Sequence, residues 1–313
     1  MSLARALELA AEAAGRAYPK PTVGAVVVLD GDVVAEGVTE RGGRHAEVVA
    51  LDVAGHAARG ATLFVTLEPC AHHGTTPPCA ERIVAEGVAR VVVGARDPNP
   101  EAAGGIEALR AAGVEVDVLD AWEARVQNEA WRVWVSRDRP FVTYKVAATL
   151  DGRVAVPGRR WISGEESRRV VHELRAVSDA VAVGMGTVRA DDPRLDAREV
   201  EVPRGQPRRL AFGRGPLPAG SELELRAGPL DEELRALAAE GVQSLLLEGG
   251  PTLAAGFADA GLLDKLLLFV APVAADGDGP SLLTRLRSPL ALSHLSARLV
   301  GEDVLLEAYF QEP

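Results

Sequence analysis

Along most of the chain, short apolar runs alternate with amphipathic stretches, the pattern of strands and helices taken in turn. Residues 23–29 and 33–36 read as strands joined by Asp30-Gly31, a dipeptide suited to a two-residue hairpin turn. The pattern then predicts a helix over 45–53, a strand over 61–67 and a helix over 79–86 that starts just after Pro77-Pro78. A strand over 91–94, a helix over 106–112, a strand over 114–119 and a long helix over 122–135 complete this first part. Such alternation implies a mixed or mainly parallel sheet with helices on both faces.

The charged segment 136–140 ends in proline and marks a break, after which a second α/β pattern begins. Residues 141–148 form a strand, and Ser163-Gly164-Glu165-Glu166 has the form of a capping box that opens a helix running toward Val177. Further strands are expected at 180–183, 209–212, 244–247 and 265–270, with a closing hairpin at 298–300 and 304–310. Residues 192–228 are rich in Pro, Gly and charge and read mainly as loop. The expected domains are therefore 1–139 and 140–313, both α/β.

With 313 residues the chain can bury a full core without staples. A formal charge of -11 argues against a phosphate-backbone partner, which would call for clustered Lys and Arg. Arg far outnumbers Lys, which fits either a GC-rich genome or adaptation to heat. No apolar run is long enough to span a membrane, and the first twelve residues carry acidic groups within their apolar pattern, unlike a secretory leader. A cytoplasmic protein is expected, in which a lasting disulfide is unfavoured.

That expectation bears on Cys70 and Cys79, the chain's two cysteines, which stand about 25 residues after His45-Ala46-Glu47. Catalytic zinc takes three protein ligands and leaves a fourth position for water, and one imidazole with two thiolates supplies that set. Zinc deaminases combine a His-x-Glu with a Pro-Cys-x-x-Cys, the glutamate moving protons. Here eight residues separate the cysteines instead of two. Two buried thiols, a small disulfide loop, or a structural zinc completed by His72 or His73 remain alternatives. A closed structural site, however, would leave Glu47 without a purpose. His45 and Glu47 would diverge by about 200° in mid-helix, so they belong at a helix start. Cys79 at another helix start would be favoured as thiolate by the dipole.

The stretch from Val65 to Cys79, the His45-Ala46-Glu47 triplet and Asp97-Pro98-Asn99-Pro100 closely resemble the bifunctional deaminase/reductases of riboflavin biosynthesis. The resemblance covers nearly the whole chain. It implies a cytidine-deaminase-like domain that deaminates a 2,5-diamino-6-(ribosylamino)pyrimidinone 5'-phosphate, followed by a dihydrofolate-reductase-like domain that uses NADPH to reduce the ribosyl group to ribityl. Glu47, Lys145 and Asp191 match catalytic positions, and His45, Cys70 and Cys79 match the zinc ligands. Ala147, Trp161, Thr187, Asp191 and the run Gly250, Pro251, Thr252, Leu253, Ala254, Ala255 and Gly256 match the cofactor side. Arg175, Leu195, Arg198 and Glu248 match contacts to the ribosyl phosphate, and Thr22, His72, His73 and Thr75 match the deaminase substrate site. A homodimer formed through the reductase half is also implied.

Two departures stand out. Lys20-Pro21-Thr22-Val23-Gly24 replaces an Asn-Pro-Asn-Val-Gly, so Thr22 takes the place of a substrate-binding amide. Phe212-Gly213-Arg214-Gly215 replaces a strand followed by Asp-Ser, which opens a cofactor contact to Arg214 and the NADPH 2'-phosphate. These departures leave room for one rival, a monofunctional deaminase with a degenerate second domain; a rival from another class is a metal-stabilised protein that binds a pyrimidine nucleotide without turning it over.

Overall fold

The computed structural model describes residues 2–41, 43–72, 77–276, 279–283, 286 and 288–313. The chain forms two compact units, Met1–Arg137 and Asp138–Glu312. Among the described residues no helix is long and apolar enough to cross a membrane.

The first unit runs α1 (Ser2–Glu12), β1 (Gly24–Leu29), β2 (Asp32–Val38), α2 (Ala46–Ala54), β3 (Thr62–Leu67), α3 (Cys79–Glu86), β4 (Arg90–Ala95), α4 (Gly105–Ala111), β5 (Glu115–Val118), α5 (Trp122–Val126) and α6 (Glu129–Arg137). Its five strands lie in the order β2-β1-β3-β4-β5. The β1 pairings are antiparallel and those of β4 parallel, so the sheet is mixed as its pattern predicts. Ala25, Val27, Leu63, Val65, Val91 and Val93 form one apolar face, covered by Ala50 and Leu51 of α2, Ile83 of α3 and Leu109 of α4. Strand alternation turns the intervening residues to the other face.

Two close approaches position the chemistry. A Cβ on Gly37 would lie 2.3 Å from the Ala46 carbonyl, and one on Gly105 would lie 1.7 Å from that of Pro69. Glycine thus lets the first turn of α2 press against β2, and α4 against the residue before Cys70.

The expected long helix over 122–135 is in fact two, α5 and α6, interrupted at Gln127 and Asn128. Both side chains act at a distance: Gln127 Nε2 donates to the Leu7 carbonyl at 2.9 Å, and Asn128 exchanges two 2.9 Å hydrogen bonds with the backbone of Thr22.

The second unit contains β6 (Phe141–Thr149), α7 (Glu165–Val177), β7 (Ala180–Gly184), α8 (Met185–Asp191), β8 (Arg208–Phe212), β9 (Glu224–Arg226), α9 (Leu230–Ala239), β10 (Ser244–Leu247), α10 (Pro251–Asp259), β11 (Lys265–Ala271), β12 (Ser293–Val300) and β13 (Asp303–Tyr309). These strands make one sheet in the order β12-β13-β11-β6-β10-β7-β8-β9. It is parallel from β11 through β9, and the closing hairpin β12-β13 adds antiparallel to β11. Within 192–228, β8 matches the strand expected at 209–212, whereas β9 is a strand that the loop-rich composition did not mark.

One local reading changes. Ser163 is not the cap of α7: Gly164 is, and the carboxylate of Asp303 accepts from the Gly164 N–H at 2.8 Å and from Ser167 Oγ at 2.5 Å. The charged break before β6 also contains a buried ion pair. Arg139 is buried in a bidentate pair with Asp264, at 2.6 and 2.8 Å, and Asp264 also accepts from the Val142 N–H at 2.8 Å.

Candidate active sites

In the first unit, His45 is the N-cap of α2, with extended backbone, and Glu47 lies in the first helical turn. A residue outside the helix and one just inside it can face the same point, which two mid-helix residues at this spacing cannot. Cys70 follows β3 and Cys79 opens α3. His45 Nδ1 lies 3.2 Å from Cys79 Sγ and 3.6 Å from Cys70 Sγ, and all three donor atoms lie within 4.8 Å of one another. A tetrahedral zinc with bonds of about 2.0 Å to nitrogen and 2.3 Å to sulfur sets N···S near ~3.5 Å, so the donor set fits that ion.

The electrostatics agree with the donor chemistry. Cys70 accepts from Cys79 and from His45, which outweigh its burial and bring it down to about 4, whereas the shared proton and burial push Cys79 up. The backbone N–H of Cys79 also points at Cys70 Sγ, at 3.4 Å. Glu47 is 4 % exposed, and burial raises its carboxyl against the opposing pull of His45 and its own backbone N–H.

His45, Glu47 and Cys70 line a cavity of about 420 Å³ together with Lys20, Thr39, Glu68, His72, Asp97, Asn99, Trp131 and Trp134. Glu68 holds the floor: its carboxylate accepts from the N–H groups of Asp97, Gly104 and Ile106 at 3.2, 3.0 and 3.2 Å. Asp97 is pushed up to about 6, chiefly by burial, although the Asn99 N–H donates to it at 2.8 Å. Thr22 lies between Pro21 and Val23, both lining, but is not itself among the lining residues. His72 lines the cavity, whereas His73 and Thr75 lie outside the described residues. Lys20, Asp97, Asn99, Trp131 and Trp134 were assigned no role from sequence. The three-residue spacing of the tryptophans on one helix was the available signal.

In the second unit, Glu248 follows β10, and the parallel register that pairs Leu247 with Tyr144 brings it beside Lys145 of β6. Lys145 Nζ is 3.0 Å from its carboxylate, and Arg175 of α7 grips it bidentately at 2.6 and 3.0 Å. Burial alone would raise Glu248; Lys145 and Arg175 overcome it and hold the group at about 2. The remaining arm of Arg175 donates to the Asp196 carbonyl at 3.0 Å. Arg198 pairs with the Asp196 carboxylate at 3.1 Å, and its N–H donates to His172 Nδ1 at 3.2 Å. Leu195, buried at a φ of 54°, fixes the course of this segment.

Gly250 is the N-cap of α10, with Pro251 in the first helical turn, and a Cβ on Gly250 would lie 3.8 Å from Thr187 Oγ1. This open helix start suits a phosphate group. Leu253 of α10 also lines a cavity of about 320 Å³ with Gly213, Arg214, Arg226 and Leu230. Ala147 stands two residues beyond Lys145 on the same face of β6. No hydrogen bond or ion pair among the described residues links Trp161 or Asp191 to these groups; Trp161 is 55 % exposed, with Arg160 and Arg168 over its ring.

Residues 1–95 match the family described as the cytidine and deoxycytidylate deaminase zinc-binding region, and residues 140–218 and 223–306 match the RibD C-terminal domain. The riboflavin biosynthesis protein RibD of Aquifex aeolicus is 38 % identical over 96 % of this chain and 95 % of its own length. That of Mycobacterium tuberculosis is 39 % identical over 96 % and 94 %. Among solved structures, RibD of Acinetobacter baumannii superposes with a TM-score of 0.84 at 33 % identity, covering 98 % of this chain and 97 % of that one. A diaminohydroxyphosphoribosylaminopyrimidine deaminase/5-amino-6-(5-phosphoribosylamino)uracil reductase of Thermotoga maritima gives 0.81 at 33 % identity, with the same coverage.

Proposed function

The chain belongs to the RibD family of riboflavin-biosynthesis enzymes, and from that membership we propose a role for each residue of its two sites. It is a bifunctional enzyme that deaminates the diaminopyrimidine ribosyl phosphate with zinc and then reduces the ribosyl group of the resulting uracil with NADPH. The observation that carries the deaminase assignment is the buried Glu47 beside three converging donors, His45, Cys70 and Cys79. A purely structural metal gives no account of that carboxyl or of the cavity above it.

Zinc, when bound by these three residues, supplies an acidified water. Glu47 takes up a proton at its carboxylate and delivers it to the departing amine, a transfer favoured by a carboxyl raised above its ordinary range. His72, Asp97 and Asn99 border the ring, and Trp131 and Trp134 offer flat apolar surface to it. Thr22 and Thr75 keep the roles that the family resemblance gives them in substrate binding.

In the reductase unit, residues 140–313, the start of α10 from Gly250 to Gly256, with Thr187, Ala147 and Trp161, holds NADPH, which supplies the hydride. Lys145, steadied by Glu248, presents its ammonium to the ribosyl oxygen as charge develops there. Asp191 lies at the end of α8 and orients the reacting groups. Because the fork of Arg175 is engaged by Glu248 and Asp196, Arg175 positions Glu248 and Leu195 shapes the wall, while Arg198 meets the substrate phosphate. Arg214 faces the adenosine end of the cofactor and takes its 2'-phosphate.

The enzyme acts in the cytoplasm as a homodimer through the reductase unit. The outermost strand β12 supports this reading, with Leu295 and Leu299 70 % and 74 % exposed on a sheet edge. Ammonia release and NADPH oxidation, assayed separately on the diaminopyrimidine and the uracil substrates, test the whole reading. Loss of either activity in soluble, zinc-loaded protein would refute the corresponding half.

A further inference from the structure

The deaminase cavity carries three carboxylates, from Glu47, Glu68 and Asp97, and among its described lining residues Lys20 is the one Lys or Arg. The substrate that enters it bears a phosphate monoester. A dianion approaching such a wall is repelled unless a cation is placed to receive it. The spacer between Cys70 and Cys79 contains no Lys or Arg to serve that purpose.

Lys20 is built for the task. Proline on either side, Pro19 and Pro21, restricts its backbone, and its N–H donates to the Ala17 carbonyl at 3.0 Å. The four-carbon side chain is then the adjustable part. Its Nζ comes within 3.3 Å of where a Cβ on Gly43 would sit, so the ammonium reaches the loop that leads into His45, and Gly43, at a φ of +93°, leaves it room. Two arginines nearby are paired: Arg44 with Glu40 and Asp52, and Arg82 with Asp52 and Glu86. Lys20 has no such carboxylate among the described residues.

We infer that Lys20 is a substrate-binding residue of the deaminase site, holding the 5'-phosphate at the cavity mouth while the pyrimidine ring reaches Glu47. The inference rests on the deaminase reading above. It also explains how a lysine serves where the family resemblance has an asparagine: the replacement supplies formal charge instead of a neutral amide.

The test compares ammonia release by wild type, Lys20→Met and Lys20→Arg on the phosphorylated substrate and on its dephosphorylated nucleoside. Lys20→Met should raise the KM for the phosphorylated substrate by about 10- to 100-fold, the range of one charge-assisted hydrogen bond, with kcat little changed. It should leave kcat/KM for the nucleoside at the wild-type value, and Lys20→Arg should recover most of the loss. An equal loss on both substrates would place Lys20 at the ring and overturn the inference, as would an unchanged KM. Zinc content and reductase rate at wild-type levels show that the variant is folded. Should Lys20→Met fold poorly, inhibition of wild-type ammonia release by ribose 5-phosphate decides: it should weaken as salt rises, and a salt-independent inhibition constant overturns the inference. Wild type that releases no ammonia from either substrate would instead refute the deaminase reading itself.

Discussion

Replacing Glu248 by glutamine removes the negative centre of the Lys145–Glu248–Arg175 group while keeping its shape. The carboxylate makes three contacts, of 2.6, 3.0 and 3.0 Å, and its side chain is 7 % exposed. Glutamine would turn an NH2 toward donors and leave two cations without a counter-charge, a change that costs about 3–5 kcal/mol at a buried pair. Linkage gives a figure of the same order. Burial would raise Glu248, yet Lys145 and Arg175 hold it at about 2, against an ordinary 4.5. That difference corresponds to roughly 3 kcal/mol at neutral pH. Because the folded value is the lower one, this contribution is full above about pH 4.5 and disappears as the pH falls toward about 2. At about 2–4 °C per kcal/mol for a unit of this size, Glu248→Gln should melt roughly 10 °C below wild type at pH 7. Differential scanning calorimetry of the full chain reads this, the reductase transition being the one that NADPH raises. The gap should narrow steadily below pH 4.5. A variant melting within 2 °C of wild type at pH 7 would show that the buried carboxylate does not hold this group together.

The other predictions concern the sites one by one. Cys79→Ser should lose zinc and ammonia release together while reductase activity on the uracil substrate survives; a full zinc complement by elemental analysis would refute the ligand set. Glu47→Gln should retain one zinc per chain yet lower ammonia release by about 10²–10⁴-fold, and comparable rates would remove Glu47 from proton transfer. Arg214→Ala should raise the KM for NADPH by about tenfold or more and leave that for NADH unchanged, whereas equal effects on both cofactors would separate Arg214 from the 2'-phosphate. Leu299→Asp should yield a monomer in sedimentation velocity if β12 is the dimer edge; an unshifted coefficient would move the interface elsewhere.

The strand and helix order and the proximity of Glu47 to His45 were legible in the sequence because each depends on spacing within a few residues, and the His-x-Glu and the two cysteines marked the donors that the fold brings together. Short apolar-rich runs mark β1, β3 and β6 whatever surrounds them, and a His-x-Glu can share a target at a helix start because of local backbone geometry. What escaped depends on partners far along the chain. The break between α5 and α6 answers to Leu7 and Thr22, and the start of α7 is held by Asp303 instead of the Ser163 of its own capping sequence. Sequence marks Lys20 only as a departure from the family pattern, and the fold then places it on a cavity with Glu47, Glu68 and Asp97. Arg175 matches a contact to the ribosyl phosphate by resemblance, and the fold instead sets a buried carboxylate from the end of β10 in its fork. By itself, then, the sequence determined the local elements and the kinds of chemistry available, because hydrogen-bonding period and ligand type are short-range properties. The tertiary structure alone decided which charges are buried, paired or left open to a substrate, because desolvation and Coulomb attraction depend on distances that only the packed chain defines.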